Sequence, residues 1–152
     1  MPDTPLIIGY GNPLRSDDAL GWKAAELLAE TLPPGAAEIV AVQQLTPEFA
    51  DAIAKVALVI FIDAAATGEP GAWSCEPLEP ESAPSALGHF FTPQGLLAYA
   101  KAVFHAAPRA LLVSATGSSF EFGETLSPLV AAVLPDIVKR IAEEINRKTG
   151  ME

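Results

Sequence analysis

The amino-acid sequence predicts an α/β domain with a mostly parallel, five-stranded sheet and helices on both of its faces. Three observations carry this. Short apolar runs alternate with longer stretches of helical spacing. The runs are continuously apolar, as strands buried on both faces must be. Ser-Pro or Thr-Pro pairs open three of the helical stretches, each supplying a capping side chain and a residue suited to the first turn.

In chain order, residues 6–10 form the first strand, leading into the glycine turn Gly9-Tyr10-Gly11. A helix follows Asp17, with Leu20, Ala24, Leu27 and Leu28 on one side, and Pro33-Pro34-Gly35 stops it. Residues 38–42 are the second strand. Thr46, Pro47 and Glu48 read as N-cap, N1 and N2 of a short helix ending near Val56. Residues 57–62 are a buried third strand bounded by Asp63, and residues 72–78 an edge strand beyond a Gly/Pro turn. Residues 79–88 read as a loop. Thr92-Pro93 opens a helix carrying Leu96, Leu97, Ala100, Val103 and Phe104. Residues 109–116 are the fifth strand and 117–125 a loop. Ser127-Pro128 opens the last helix, with Val130, Val133, Leu134, Ile137, Val138, Ile141 and Ile145 on one face. Residues 146–152 form a polar tail expected to fray.

Length and composition narrow the function. A chain of 152 residues suits one domain spanning 1–152. Half the residues are apolar and the mean hydropathy is +0.30, which excludes disorder. The formal net charge of -10 argues against nucleic acid and anionic membranes, which need a basic face. No apolar run reaches the roughly 20 residues of a membrane span, and residues 1–5 show no basic region of a signal peptide. The single cysteine, Cys75, lies in an expected strand and has no internal disulfide partner. A cytoplasmic protein is the expectation.

The chemistry points to the carboxyl ends of the strands, where ligands bind in open parallel sheets. If the strand order runs 2-1-3, the turn leaving strand one and Asp63 ending strand three share one crevice. Asp17 and Asp18 follow that turn. Asp17 reads as a helix N-cap. Asp18 is either a favourable charge beside the helix dipole or, with Asp63, an oxygen ligand set for a divalent metal. Of the two histidines, His105 lies near a helix C-terminus, where a cation is structurally favourable. His89 precedes the Thr92-Pro93 helix on the crevice side and is the candidate ligand. A dinucleotide site is disfavoured: the third glycine of the fingerprint falls at Leu14, and two acids would repel a pyrophosphate. No GxSxG elbow is present.

The stretch Gly9-Tyr10-Gly11-Asn12-Pro13-Leu14-Arg15-Ser16-Asp17-Asp18-Ala19-Leu20-Gly21 resembles the GxGNxLxxDDGxG opening of the hydrogenase maturation endopeptidases, with Ala19 at the glycine after the acids. Val59-Ile60-Phe61-Ile62-Asp63-Ala64 is similar to that family's second block, and residues 119–128, SFEFGETLSP, to its later SFExGxxLSP block. The resemblance implies a three-layer α/β/α sandwich. It implies a soluble endopeptidase that trims the C-terminal extension from the large-subunit precursor of a nickel-iron hydrogenase after nickel insertion. Nickel is then recognised in the substrate. Carried over residue by residue, the metal-contacting set is Asp18, Asp63 and His89, and Asp18 and Asp63 are the catalytic carboxylates. Aligned on members whose histidine follows a Ser-Pro pair, Gln94 takes the third position. Two other expectations stand beside it: a non-catalytic metal-sensing or chaperone relative, and a phosphoacceptor receiver domain with Ser114 or Thr116 ending a later strand.

Overall fold

The computed structural model describes residues 4–82, 86–87 and 90–150, without the side chains of 86, 87, 90 and 148–150. Its main sheet has five strands in the order β2-β1-β3-β7-β4. These are β1 (Leu6–Tyr10), β2 (Glu38–Val42), β3 (Leu58–Ala65), β4 (Trp73–Pro77) and β7 (Arg109–Thr116). All neighbours are parallel except β4, which runs antiparallel along β7 at the edge. The strand order places β1 beside β3, so the two chain segments with acids leave the sheet side by side.

The strands bury both faces because alternate residues serve two cores. Ile7, Ile60, Ile62, Leu111, Val113 and Ala115 face helices α1 (Leu20–Thr31) and α4 (Pro128–Gly150). Leu6, Ile8, Val59, Phe61 and Ala110 face α2 (Phe49–Ala54) and α3 (Pro93–Phe104). The result is an α/β/α sandwich. On α4, Val130, Ile137, Val138, Ile141 and Ile145 are buried at helical spacing, which accounts for that helix docking against the sheet.

Several boundaries differ from the sequence reading. β3 continues past Asp63 to Ala65, because β7 pairs with it as far as Ala65↔Thr116. α4 runs through Gly150 instead of ending before a polar tail. Within 79–91, two-residue strands β5 (Ala86–Leu87) and β6 (Phe90–Phe91) form a small antiparallel pair. Thr92 caps α3 as expected, accepting from the Gly95 amide at 3.0 Å. Thr46 does not cap α2. The chain turns twice there, with the Phe49 amide on the Thr46 carbonyl and the Ala50 amide on the Pro47 carbonyl, and α2 begins at Phe49. The Thr46 hydroxyl is left buried without a hydrogen-bond partner. His105 ends α3 through its backbone, in the left-handed conformation at φ 57°.

Glu144 was not singled out from the sequence. It is 2% exposed on α4 and accepts from Arg140 Nε at 3.1 Å and Arg147 at 2.7 Å, with Arg109 of β7 3.6 Å away. Burial alone would raise its carboxyl, but these guanidinium groups hold it below the usual range. The cluster joins α4 to the amino end of β7, remote from the crevice.

A crevice framed by two interlocked loops

The site is built on the segment between β1 and α1. Gly9 allows α1 to approach the strand: a Cβ there would meet the Gly21 carbonyl oxygen at 2.2 Å. Gly11 has φ +141°, and a Cβ on it would meet the Asp18 carbonyl oxygen at 2.2 Å. The Trp22 indole donates to the Gly11 carbonyl at 2.8 Å and fixes the turn. Folding the chain back this tightly lets the Asn12 amide donate to Asp18 Oδ2 at 2.7 Å. Asp18 is thereby held in place and remains half-buried, near enough to Asp63 for its charge to act there.

Asp17 has a different role from the one read in the sequence. The N-cap of α1 is Ala19, with no side-chain cap, and Asp17 sits in a short 3-10 turn, Ser16–Ala19. Its side chain, 0% exposed, points away into the loop after β7. Oδ2 accepts from the Ser118 amide at 2.7 Å, the Ser119 amide at 3.1 Å and the Ser127 hydroxyl at 2.7 Å. Oδ1 accepts from the Ser127 amide at 2.7 Å. Burial pushes the carboxyl up, but the four bonds outweigh it and hold Asp17 below the ordinary range.

These bonds belong to a longer seam. The Asp17 amide donates to the Ser119 carbonyl, the Ser16 amide to the Gly123 carbonyl, and the Gly123 amide to the Leu14 carbonyl. The Ser16 hydroxyl donates to the Glu121 carbonyl and Arg15 Nε to the Phe120 carbonyl. Ser16 takes the left-handed conformation, φ 53°, which costs about 1–2 kcal/mol in a residue with a Cβ. The seam holds it there. The SFEFG segment is thus the partner wall of the glycine turn.

Asp63 meets this wall from β3. Tyr10, Asp63 and Ser114 lie on the α2/α3 face by strand alternation, in adjacent register positions of β1, β3 and β7. The Tyr10 hydroxyl donates to Asp63 Oδ2 at 2.6 Å. Ser114, paired with Asp63 across the sheet, is a second side-chain donor to it. Burial raises the Asp63 carboxyl above its ordinary value; the Tyr10 and Ser114 bonds oppose this and the nearby Asp18 charge adds to it. Tyr10 is raised by burial first, then by the negative charge of Asp63 and its hydrogen bond, and also by Asp18. Two carboxylates 45 positions apart in the chain therefore act on each other across one crevice.

His89 lies outside the described residues. Gln94 is the second residue of α3, and its carbonyl accepts from the Glu81 amide at 3.2 Å. Among the described residues, no three His, Cys, Asp or Glu side chains gather to hold a metal. Tyr10 was not read as a site residue, and Ser114 was read as one only for a phosphoacceptor receiver domain. Period-two alternation from Asp63 along the sheet was the signal that points to both.

The fold and crevice define a three-layer α/β/α protein with two carboxylates near the carboxyl ends of neighbouring parallel strands, Asp63 inside β3 and Asp18 after β1. Among solved structures, the hydrogenase maturating endopeptidase HybD from E. coli is similar at TM-score 0.78 and 23% identity, over 97% of this chain and 94% of that one. The [NiFe] hydrogenase maturation protease HycI from Thermococcus kodakarensis KOD1 matches at TM-score 0.71 and 26% identity, over 95% and 93%. A hydrogenase 2 maturation peptidase from a Thaumarchaeota archaeon matches at TM-score 0.66 and 22% identity, over 98% and 99%. The chain has the fold of the hydrogenase maturation endopeptidases. No family model and no curated protein sequence matches it. Among the described residues, no helix is long and apolar enough to cross a membrane.

Proposed function

We propose that the chain is an endopeptidase that removes the C-terminal extension of a nickel-iron hydrogenase large-subunit precursor once nickel has been inserted. The observation that carries this is the meeting of Asp18 and Asp63 in one crevice, on the fold of HybD and HycI. Asp18, Asp63 and His89 form the set that contacts the metal, and nickel arrives as part of the substrate.

The chemistry follows from the two carboxylates. Two negative oxygen groups held side by side repel each other and attract a cation. A precursor carrying a divalent metal relieves that repulsion, and one without metal does not. Asp18 is oriented by the Asn12 amide and Asp63 by Tyr10 and Ser114, so the pair is set before substrate arrives. Burial makes Asp63 a better proton acceptor than an ordinary aspartate, as suits a general base taking a proton from the attacking water. The seam between residues 14–17 and 118–123 keeps the crevice wall fixed while a peptide is held against it.

The test is to incubate the purified protein with nickel-loaded and with apo precursor and follow trimming by mass spectrometry. Cleavage of the loaded form alone is expected. Equal cleavage of both sinks the metal checkpoint, and cleavage of neither sinks the protease.

A further inference from the structure

We infer that Tyr10 is a positioning residue for Asp63, its phenol fixing the plane of that carboxylate so that Asp63 presents one oriented oxygen to the crevice. This rests on the proposed reading of Asp63 as a group that contacts the substrate's metal.

The geometry is specific. Tyr10 is the last residue of β1, and the Gly9↔Ile62 register brings Asp63 next to it on the same face. The 2.6 Å separation between the hydroxyl and Oδ2 lies in the range of O–H donors to an ionised carboxylate. The ring itself packs with the apolar side chains around Ile8 and Phe61, a role that phenylalanine would fill equally well. Burying a hydroxyl and a carboxylate together is costly unless each satisfies the other. The hydroxyl therefore has its consequence at Asp63.

That consequence is directional. A carboxylate has about four lone-pair positions. Tyr10 engages one of the two on Oδ2, so a cation that uses this oxygen has to share it with a short bond, whereas Oδ1 is free of the phenol. Ser114 restrains the same group from β7. Rotation of the carboxylate about its χ2 angle, broad for aspartate in general, is closed off from two sides. The arrangement favours meeting a metal through the oxygen that the phenol leaves free, over the bidentate carboxylate binding that calcium often adopts. Tyr10 also stands as a neutral donor beside both acids, since Asp18 acts on it as well as Asp63.

The experiment is a double-mutant cycle. Wild type, Y10F, D63N and the double variant are each titrated against nickel-loaded and apo precursor, with urea unfolding to verify that all four fold. In the Asp63 background, Y10F is expected to weaken binding of loaded precursor about tenfold, the scale on which groups that orient a ligand act. In the D63N background the same change is expected to have less than about twofold effect, since its target is gone. Apo precursor binding is expected to be equal for wild type and Y10F. A loss of the same size in both backgrounds, or an equal loss on apo precursor, overturns the positioning role. Wild type binding both precursors equally overturns the metal reading itself. Coupling between positions 10 and 63 in that common affinity then still decides for or against the pair.

Discussion

Two adjacent acids should give opposite phenotypes. Asp17→Asn replaces a carboxylate that accepts four hydrogen bonds, three on Oδ2 and one on Oδ1. The less costly amide orientation puts nitrogen at the Oδ1 place, where it faces the Ser127 amide as donor against donor. The Ser127 amide then loses its acceptor, at about 1–3 kcal/mol, and three charge-assisted bonds become neutral ones, each weaker by about 1 kcal/mol. Relief of burying a charge offsets part of this. A net loss of about 2–4 kcal/mol is expected, within the roughly 5–15 kcal/mol of a natural domain. Asp18→Asn changes one bond, from the Asn12 amide, and the amide oxygen can still accept it. It should cost less than about 1 kcal/mol yet abolish trimming of loaded precursor. The assay is urea unfolding of both variants beside the trimming reaction, with the m-value checked for constancy. An Asp17→Asn variant within about 0.5 kcal/mol of wild type, or an Asp18→Asn variant as destabilised as Asp17→Asn, refutes the division of roles.

Other outcomes follow from the same geometry. Asp17 and Glu144 both hold their carboxyls below the usual range, so as pH falls the unfolded chain takes up protons first. Their stability is present above about pH 4 and drains as pH drops through the lower folded values; the urea midpoint should decline there, less steeply in Asp17→Asn, and an unchanged slope counts against the argument. Asp63 has the opposite sign: its raised carboxyl makes deprotonation costly to the fold. Asp63→Asn should therefore stabilise the protein at neutral pH, by about 0.5–2 kcal/mol, while losing activity, and a lowered melting temperature contradicts this. Gly11→Ala forces a Cβ into the Asp18 backbone at positive φ; a loss of at least about 1–3 kcal/mol is expected by thermal melting, with trimming lost alongside. Thr46→Val removes a buried hydroxyl that has no partner, and unfolding should show a neutral or slightly stabilising change rather than a loss.

The sheet was legible because its cause is local. Runs such as residues 58–62 are apolar at every position, and only a strand covered on both faces asks for that. The neighbouring of β1 and β3 needed one assumption about strand order, and from it the shared crevice of Asp18 and Asp63 followed. Asp17 was misread because a helix cap is a local solution, whereas its partners are 101 to 110 residues away. Nothing in the sequence distance hints at them, although the SFEFG segment that supplies Ser119 was itself conspicuous. Glu144 was missed for a related reason: Arg140 and Arg147 stand from it at spacings common to any helix surface, and its burial comes from the sheet beneath α4. The Thr-Pro signal worked at Thr92 and failed at Thr46, because a signal of two residues cannot distinguish a helix start from a pair of tight turns. Two-residue strands such as β5 and β6 are too short to have a period at all.

On the proposed reading, the rigidity of the crevice follows from the repulsion it contains. Two carboxylates that act on each other lower their energy by moving apart. A loop free to relax would do so, and the site would lose its preference for a cation before any substrate arrived. Each feature around the pair removes one such route. Gly11 and the Trp22 indole fix the turn behind Asp18. Asp17 and the left-handed Ser16 fasten that turn to the 118–123 wall. Tyr10 and Ser114 hold Asp63 within the sheet. Asp17 stores its stabilisation in hydrogen bonds that never touch substrate, which is what allows its neighbour to be held in a position the fold alone would not favour. Discrimination between a loaded and an empty precursor then needs no movement of the protease, because the difference resides in charge that the crevice already presents.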